Sequence, residues 1–284
     1  MDHHSRHGLG CVMNLGSKLK QWVGGTVMAS LKRRAADAVE KLIGARIVFP
    51  EQIGVLFEQE HLKKFFSHFA VDCVFDVGAN EGQYARMLRQ RLGYQGPIIS
   101  FEPIPEIASL LRARAANDPA WHVAELALDK QAGERTFNVM ADSEFSSLKE
   151  PCHDDLQIFN DKNRVIRSIS VTVSTVAQEL ENWAKRLSFR RPFLKVDTQG
   201  NDIEVIQGAG DALKMFVGLQ IELAIKRIYA DTQTFERAIA FYQSNGFELS
   251  AFVPNNAGHF PRLVETDCIM VRRDLFSGQA SDQV

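Results

Sequence analysis

The chain has 284 residues, of which 45% are hydrophobic and 24% are charged. These fractions are near the average for globular proteins and exclude collagen-like, low-complexity and disordered chains. With 33 Lys and Arg residues against 35 Asp and Glu residues, the formal net charge is -2, without the basic excess typical of nucleic-acid binders. We therefore expect a folded protein that does not bind nucleic acid.

Positive charge is concentrated in residues 1–46, which we call the leader. The leader holds eight basic and three acidic residues, a net charge of +5, whereas the rest of the chain carries -7. Its longest apolar stretch, 22–31, is far shorter than the roughly 20 residues of a membrane span, and it does not resemble a signal peptide. The expectation is cytoplasmic residence.

A basic amphipathic helix is predicted inside the leader, over residues 30–43. Such a helix suits two roles. It could lie on an anionic membrane as a peripheral contact, or pack against the domain or the partner subunit of a homodimer. The second interpretation is the favoured one.

Three regions follow from these patterns: the leader, one domain over 47–274, and a C-terminal tail over 275–284. The cysteines are widely spaced and form no C-x-x-C pair, which favours reduced thiols over a zinc site or a disulfide framework. They are Cys11, Cys73, Cys152 and Cys268.

From residue 71, short apolar runs alternate with amphipathic helices, a pattern typical of a parallel sheet covered by helices. In order, the first half predicts strand 73–77, a helix from Gly82, strand 97–101, helix 105–116, strand 121–126, a turn over 129–133 and a returning antiparallel strand 135–139. The polar residues 141–163 predict a long surface loop.

The second half continues the alternation and ends in a hairpin. In order, it predicts strand 165–173, a helix from Thr175 to Trp183, strand 193–197, a tight turn 198–200, a helix from the N-cap Asn201 with Glu204 three residues on, its end near Gly208, strand 216–223, helix 232–244, and an antiparallel hairpin of 247–253 with 268–271. The fold class is therefore α/β, a Rossmann-like, doubly wound and mostly parallel sheet with a C-terminal antiparallel hairpin.

The turn after the first strand is the first candidate binding site, because ligands of doubly wound sheets lie beyond the carboxyl ends of the strands. Gly78 and Gly82 would let backbone amides at a helix N-terminus approach a ligand. Glu102 follows the second strand, 20 residues past Gly82, where an acidic residue can accept both hydroxyls of a ribose. This pattern predicts a nucleoside ligand; glycines that merely turn the chain are the alternative.

The same turn discriminates between nucleoside cofactors. It lacks the fingerprint G-x-G-x-x-G because Asn80 and Ala85 occupy the second and third glycine positions, which disfavours a pyrophosphate. Asp76 would repel a phosphate and attract an ammonium. Both features favour S-adenosylmethionine over NAD.

Three motifs occur in order along the chain: FDVGANEGQY at 75–84, FEPIP at 101–105 and FLKVDTQG at 193–200. Together they resemble the FkbM family of class I methyltransferases, and the likeness covers about residues 48–272. It implies a class I methyltransferase fold, S-adenosylmethionine as donor, and O-methylation of a hydroxyl on a sugar, glycolipid, polyketide or similar small-molecule or glycan acceptor. By position it implies a cofactor loop of Asp76, Gly78, Asn80 and Gly82, a ribose clamp at Glu102, and Asp129 near the adenine.

The chain departs from the family at the third motif. Gln199 stands where a glutamate before the glycine is usual, and Asp202 stands for a later glutamate. A neutral amide accepts a proton or binds a cation poorly, so neither role is expected of position 199.

Three residues are candidates for catalysis. Asp197 and Glu222 end neighbouring strands and could orient a hydroxyl, take its proton or hold a divalent ion, and His259 lies in a polar loop from which it could reach the acceptor. The alternatives are an Asp197 that caps a turn, a Glu222 that pairs with Lys226, and a loop histidine without a role. Lys195 is either a surface lysine or a partner of a carboxylate in the cleft.

Two other functions fit the same fold. A nucleotide-dependent oxidoreductase is disfavoured by Asn80 and Asp76, whereas a non-catalytic nucleoside-binding subunit is conceivable because of Gln199 and the basic leader.

Overall fold

The structure is a computed structural model that describes Val39 and residues 53–153, 159–254 and 261–276. The chain divides into two compact units, Met1–Ile53 and Gly54–Val284, and the account below concerns the second. Apart from Val39, the leader lies outside the described residues, as do His259, Cys11 and most of the tail. The predictions for these segments stay predictions.

Ten strands occur in the described residues. They are β1 (Cys73–Val77), β2 (Ile98–Phe101), β3 (Trp121–Ala124), β4 (Ala127–Leu128), β5 (Gly133–Met140), β6 (Val165–Ser174), β7 (Pro192–Val196), β8 (Gly218–Ala224), β9 (Phe247–Pro254) and β10 (Glu265–Arg272). Seven form one sheet in the order β3-β2-β1-β7-β8-β10-β9, in which β10 is antiparallel to both neighbours and the other pairs are parallel. The predicted mostly parallel sheet with a closing antiparallel hairpin is confirmed.

Helices cover both faces of this sheet. They are α1 (Ile53–His68), α2 (Gln83–Met87), which continues as a π-helical turn over Leu88–Leu92, α3 (Pro105–Ala115), α4 (Val176–Ala184), α5 (Asp202–Gln207) and α6 (Phe235–Ser244). Among the described residues, no helix is both long and apolar enough to cross a membrane.

The core forms two layers because successive side chains of a strand point to opposite faces. On one face, strand residues such as Val74 and Phe193 pack with Leu62 of α1 and Leu88 after α2. On the other, α4, α5 and α6 pack on residues such as Phe75. Burial on both faces explains why the central strands read as apolar runs.

The predicted return of residues 135–139 beside the third strand is wrong. β5 pairs instead with β6, antiparallel, in a separate three-stranded sheet of order β4-β6-β5. The β3 strand already has its partner, β2, in the main sheet. The local pattern identified a strand correctly, but its partner is more than twenty residues further along the chain.

Within 141–163, the described residues 141–153 and 159–163 include buried side chains, which a surface loop would not have. Ser147 is fully buried and bridges back to Asn138 of β5, and Asn163 is also buried. The Ser147 hydroxyl lies 2.7 Å from the carbonyl of Gln199 and 3.2 Å from that of Thr198, so this segment holds the turn after β7. Residues 154–158 lie outside the described part.

The sequence predicts N-caps for two helices, and only one of them caps its helix with its side chain. Thr175 caps α4 by accepting a hydrogen bond from the backbone N–H of Gln178, as expected. Asn201 is the N-cap of α5 but makes no capping bond with its side chain; the Asp202 carboxylate accepts from the backbone N–H of Thr198 instead. Glu204 forms an ion pair with Lys149, so the predicted capping box is wrong.

Cys73 and Cys268 are buried free thiols, as predicted for these two residues. Burial raises the pKa of the Cys73 and Cys268 thiols, which keeps both protonated and inert.

Candidate active site

A cavity of about 420 Å³ lies at the carboxyl ends of β1, β2 and β7, and we call it the main cavity. Its volume is within the range of small-molecule sites, roughly 300 to 1,000 Å³. Four of the predicted site residues line it: Gly78, Asn80, Glu102 and Asp197. The remaining lining comes from α1, α2, several strands of both sheets, the turns after β1, β2, β3 and β7, and the loop after β5.

Gly78 makes the tight turn out of β1 possible. Its φ of +75° lies in the left-handed region, and a Cβ built on it would come within 1.9 Å of the carbonyl oxygen of Asp197. Glycine is therefore required by the close approach of the chain after β7, rather than by a ligand alone. This contact brings the turns after β1 and β7 together at the cavity.

Glu102 is a carboxylate in the cavity wall that is fixed by two backbone hydrogen bonds. Its side chain is buried, with Oε2 accepting from the backbone N–H of Asn80 and Oε1 accepting from that of Ile104, both at 2.9 Å. Burial raises the pKa of Glu102 to about 7, although both backbone hydrogen bonds favour the ionised form. Each oxygen keeps a further lone pair for a hydroxyl donor.

An apolar slot adjoins Glu102 on its far side. Ile104, Leu128 and Phe137 line this part of the cavity and are buried. Leu148 lines it from the loop after β5 and packs against the cluster that contains Ile104 and Phe137. A slot with apolar walls beside a carboxylate suits a flat heterocycle attached to a ribose.

A buried polar row crosses the sheet at the cavity, and two of its members, Lys195 and Gln220, line the cavity. The register of four adjacent strands aligns Ser100, Asp76, Lys195 and Gln220. Asp76 accepts from the Ser100 hydroxyl at 3.0 Å, and its other oxygen lies 3.5 Å from Lys195 Nζ. Asp76 thus supports the site from below, outside the cavity lining.

Lys195 is the cation of this row, 8% exposed, with its Nζ also 3.4 Å from Asp197 Oδ2. Burial lowers the pKa of Lys195, but the carboxylates of Asp197 and Asp76 outweigh burial and raise it. The sequence-based alternative of a carboxylate partner inside the cleft is therefore the correct one.

Two glutamines each bridge two carboxylates. Gln220 Nε2 donates to Glu58 Oε1 at 2.7 Å and to Asp267 Oδ2 at 3.0 Å, while its Oε1 accepts from the Tyr84 hydroxyl. This cluster closes the end of the main cavity beneath α1. Burial raises the pKa of Glu58, and raises that of Asp267 to about 7.

The second bridge joins two of the predicted catalytic residues. Gln199 Nε2 donates to Asp197 Oδ1 at 2.8 Å and to Glu222 Oε2 at 2.9 Å. Asp197 lines the cavity, whereas Glu222 does not. Burial, followed by the nearby Glu265 and Asp197 carboxylates, raises the pKa of Glu222 well above its ordinary value.

Within the described ranges, no three His, Cys, Asp or Glu side chains are arranged to hold a metal ion. The carboxylates of this region are bridged by amides instead. Glu265 lies diagonally across from Glu222, since it pairs with Ala224 in the register of β8 and β10, and its pKa is raised to about 8, chiefly by burial.

Two further predicted cofactor residues lie outside the cavity lining. Gly82 begins α2 with a φ of +80°, and a Cβ there would meet Leu111 and Trp121 within 2.7 Å, so this glycine serves core packing. Asp129 follows Leu128 by one residue, but its carboxylate faces the Lys130 N–H, Asn201 and Arg135. Their assigned roles stay predictions.

The sequence analysis missed Glu58, Gln220 and Asp267 as lining residues. Gln220 and Asp267 had a readable signal, because a polar side chain inside an apolar buried strand points to a functional row. Gln220 precedes Glu222 by two residues, which puts both on one face of β8. Glu58 gave no signal, since its position depends on how α1 packs on the sheet.

Comparisons with known proteins identify a family. A family model described as the methyltransferase FkbM domain matches residues 76–249. No curated protein matches the chain.

Several solved structures resemble the fold at low identity. The methyltransferase FkbM from Methylobacillus flagellatus KT is 12% identical with a TM-score of 0.44, over 70% of this chain and 43% of that one. An rRNA methylase from Streptococcus thermophilus is 10% identical with a TM-score of 0.42, over 80% of this chain and 99% of that one. A magnesium protoporphyrin IX methyltransferase from Synechocystis PCC 6803, solved with bound SAM, is 11% identical with a TM-score of 0.42, over 93% of this chain and 100% of that one.

This chain therefore spans less than half the length of the M. flagellatus protein that it matches. The family assignment depends on the family model, whose match begins at Asp76 in β1 and covers more than half of the chain. The chain belongs to the FkbM methyltransferase family.

Proposed function

We propose that the protein is an S-adenosylmethionine-dependent O-methyltransferase that acts on a hydroxyl of a sugar, glycolipid, polyketide or similar metabolite. Membership of a methyltransferase family supports the reaction type and disfavours the oxidoreductase alternative. The observation that carries the proposal is Glu102, a buried carboxylate held by two backbone amides in the cavity wall, with Asp197 lining the same cavity.

The residues of the main cavity fit the donor. Glu102 has lone pairs left for two ribose hydroxyls, and the slot of Ile104, Leu128 and Phe137 offers apolar faces to an adenine. Gly78 leaves the backbone of the first turn open to the cavity. When bound, the donor would supply a methyl group already activated on a sulfonium.

The task left to the protein is to align the acceptor oxygen and remove its proton. Asp197 is the proposed base, since it lines the cavity and its oxygens already face Gln199 and Lys195. A positioned base is typically worth 10²- to 10⁴-fold in rate. Glu222 lies behind Asp197 and His259 lies outside the described residues, so both are secondary candidates.

The test measures S-adenosylhomocysteine release over a panel of sugar, glycolipid and polyketide acceptors. With an acceptor in hand, Asp197→Asn should bind S-adenosylhomocysteine normally and lose at least about a hundredfold in turnover. Asp211→Asn is the matched control, because Asp211 is an exposed carboxylate paired with Lys214 far from the cavity. Near-normal turnover in Asp197→Asn would refute the role of this base.

The acceptor class, cytoplasmic residence, peripheral membrane contact and homodimer remain proposals from the sequence. Binding of S-adenosylhomocysteine without methyl transfer to any acceptor would instead support the nucleoside-binding subunit.

A further inference from the structure

Gln199 occupies an unusual place in the site. It belongs to the turn between β7 and α5, where its φ of +55° is left-handed, yet its side chain reaches two carboxylates at once. Asp197 lies before it on the chain, and Glu222 lies on β8. The carboxamide therefore links the turn to the neighbouring strand.

Both the backbone and the side chain of Gln199 are fixed by other elements. The Ser147 hydroxyl lies 2.7 Å from its carbonyl oxygen, and the hydroxyl of the buried Tyr229 lies 2.9 Å from its Oε1. The Tyr229 hydroxyl also lies 2.8 Å from the carbonyl oxygen of Phe145, so its one proton is shared between that oxygen and Oε1, while both N–H groups of Nε2 face the two carboxylates. The amide orientation thus follows from its surroundings.

Asp197 and Glu222 face one point and repel each other when both are ionised. Lys195 Nζ lies 3.4 Å from Asp197 Oδ2, and burial together with the Glu265 carboxylate raises the pKa of Glu222, so the repulsion is strongest at high pH. The Gln199 amide offsets this repulsion, since it gives one hydrogen bond to each carboxylate and adds no charge. An ionised Asp197 can then keep its remaining lone pairs toward the main cavity.

We propose that Gln199 is a positioning residue that holds Asp197 and Glu222 together by donating one hydrogen bond to each carboxylate, in the place where a divalent cation would otherwise bridge them. This inference rests on the proposed function for its catalytic consequence, but the two hydrogen bonds from Gln199 are a property of the ligand-free protein.

Two substitutions of Gln199 test its hydrogen bonds to the carboxylates without a methylation assay. Gln199→Met keeps the length of the side chain and removes both donors, so repulsion should destabilise the variant when both carboxylates are ionised. We expect its Tm to fall by at least about 3 °C more at pH 8.5 than at pH 5.5, relative to wild type. Gln243→Met, at an exposed position of α6, should show no such difference.

Gln199→Glu is isosteric and converts the shared donor into a third carboxylate. Three converging carboxylates are expected to bind Mn²⁺ at one site per chain, which electron paramagnetic resonance detects directly. Wild type and Gln243→Glu should bind none under the same conditions. If wild type binds Mn²⁺ as Gln199→Glu does, or if folded Gln199→Glu binds none, the proposal is wrong.

The catalytic consequence has its own readout. With an acceptor available and no added metal, Gln199→Glu should lower kcat at least about tenfold, move the acidic limb of the pH profile upward and leave KM for the donor unchanged. An unchanged profile would overturn the positioning role. Failure of wild type to bind S-adenosylhomocysteine would contradict the proposed function alone, because the Tm and Mn²⁺ measurements need no donor.

Discussion

Replacement of Glu102 by alanine tests the ribose clamp. The side chain accepts hydrogen bonds from the backbone N–H groups of Asn80 and Ile104, and its free lone pairs face the cavity. A hydrogen bond to a charged group contributes about 1.5 to 3 kcal/mol. We therefore expect Glu102→Ala to weaken S-adenosylhomocysteine binding by about 10- to 150-fold.

The pH dependence of S-adenosylhomocysteine affinity is a second, independent test of the ribose clamp. Because burial raises the pKa of Glu102 to about 7, its ionised fraction in the free protein rises across neutral pH. That fraction goes from about one tenth at pH 6 to about nine tenths at pH 8. If the ionised form binds the ribose, affinity should rise about tenfold over this range, and Glu102→Gln should abolish the rise.

Calorimetric titration with S-adenosylhomocysteine measures both effects, with far-UV circular dichroism as the check that each variant is folded. Glu106→Gln is the matched control, because Glu106 is an exposed residue that pairs with Arg167. Unchanged affinity in folded Glu102→Ala, or the same pH dependence in Glu102→Gln as in wild type, would refute the ribose clamp.

Two further predictions concern stability. Gly78→Ala should lower Tm far more than Gly210→Ala in calorimetric scans. Both glycines have a positive φ, but of the two only Gly78 would place a Cβ against backbone, at 1.9 Å. Equal losses of Tm would contradict the close approach. The Tm of the ligand-free protein should fall as pH rises from about 5 to 8. The folded pKa values of Glu102 and Asp267 are both about 7, above their ordinary values of 4.5 and 3.8. The folded state therefore binds these protons more tightly than the unfolded state, and the stability this contributes is lost as pH rises through the folded pKa. Asp267→Asn should flatten that slope, and a Tm that rises over this window in wild type would contradict the raised pKa values.

Most of the main sheet could be predicted from the sequence, because its central strands are continuous apolar runs bounded by turn residues. The cavity residues at strand ends, Gly78, Glu102 and Asp197, follow from the same pattern, since the carboxyl ends of parallel strands meet at one edge. The predicted reaction, methyl transfer from S-adenosylmethionine, came from the resemblance of three motifs to the FkbM family.

The rest depends on contacts between distant segments. The pairing of β5 with β6 is set by which strand has a free edge, which no local pattern records. The bridges made by Gln199 and Gln220 likewise need Tyr229 and Tyr84 from other elements. The glycine spacing also did not reveal that Gly82 has a positive φ and lies close to core side chains.

The central claim is that the main cavity holds the methyl donor above Gly78 and Glu102. A crystal structure of the protein with S-adenosylhomocysteine tests it most directly. We predict that the ribose hydroxyls lie within hydrogen-bond distance of the Glu102 carboxylate, that the adenine lies between Ile104 and Leu128, and that the sulfur faces the side of the cavity lined by Asp197. A ligand bound elsewhere, or bound here with its ribose away from Glu102, would contradict the account.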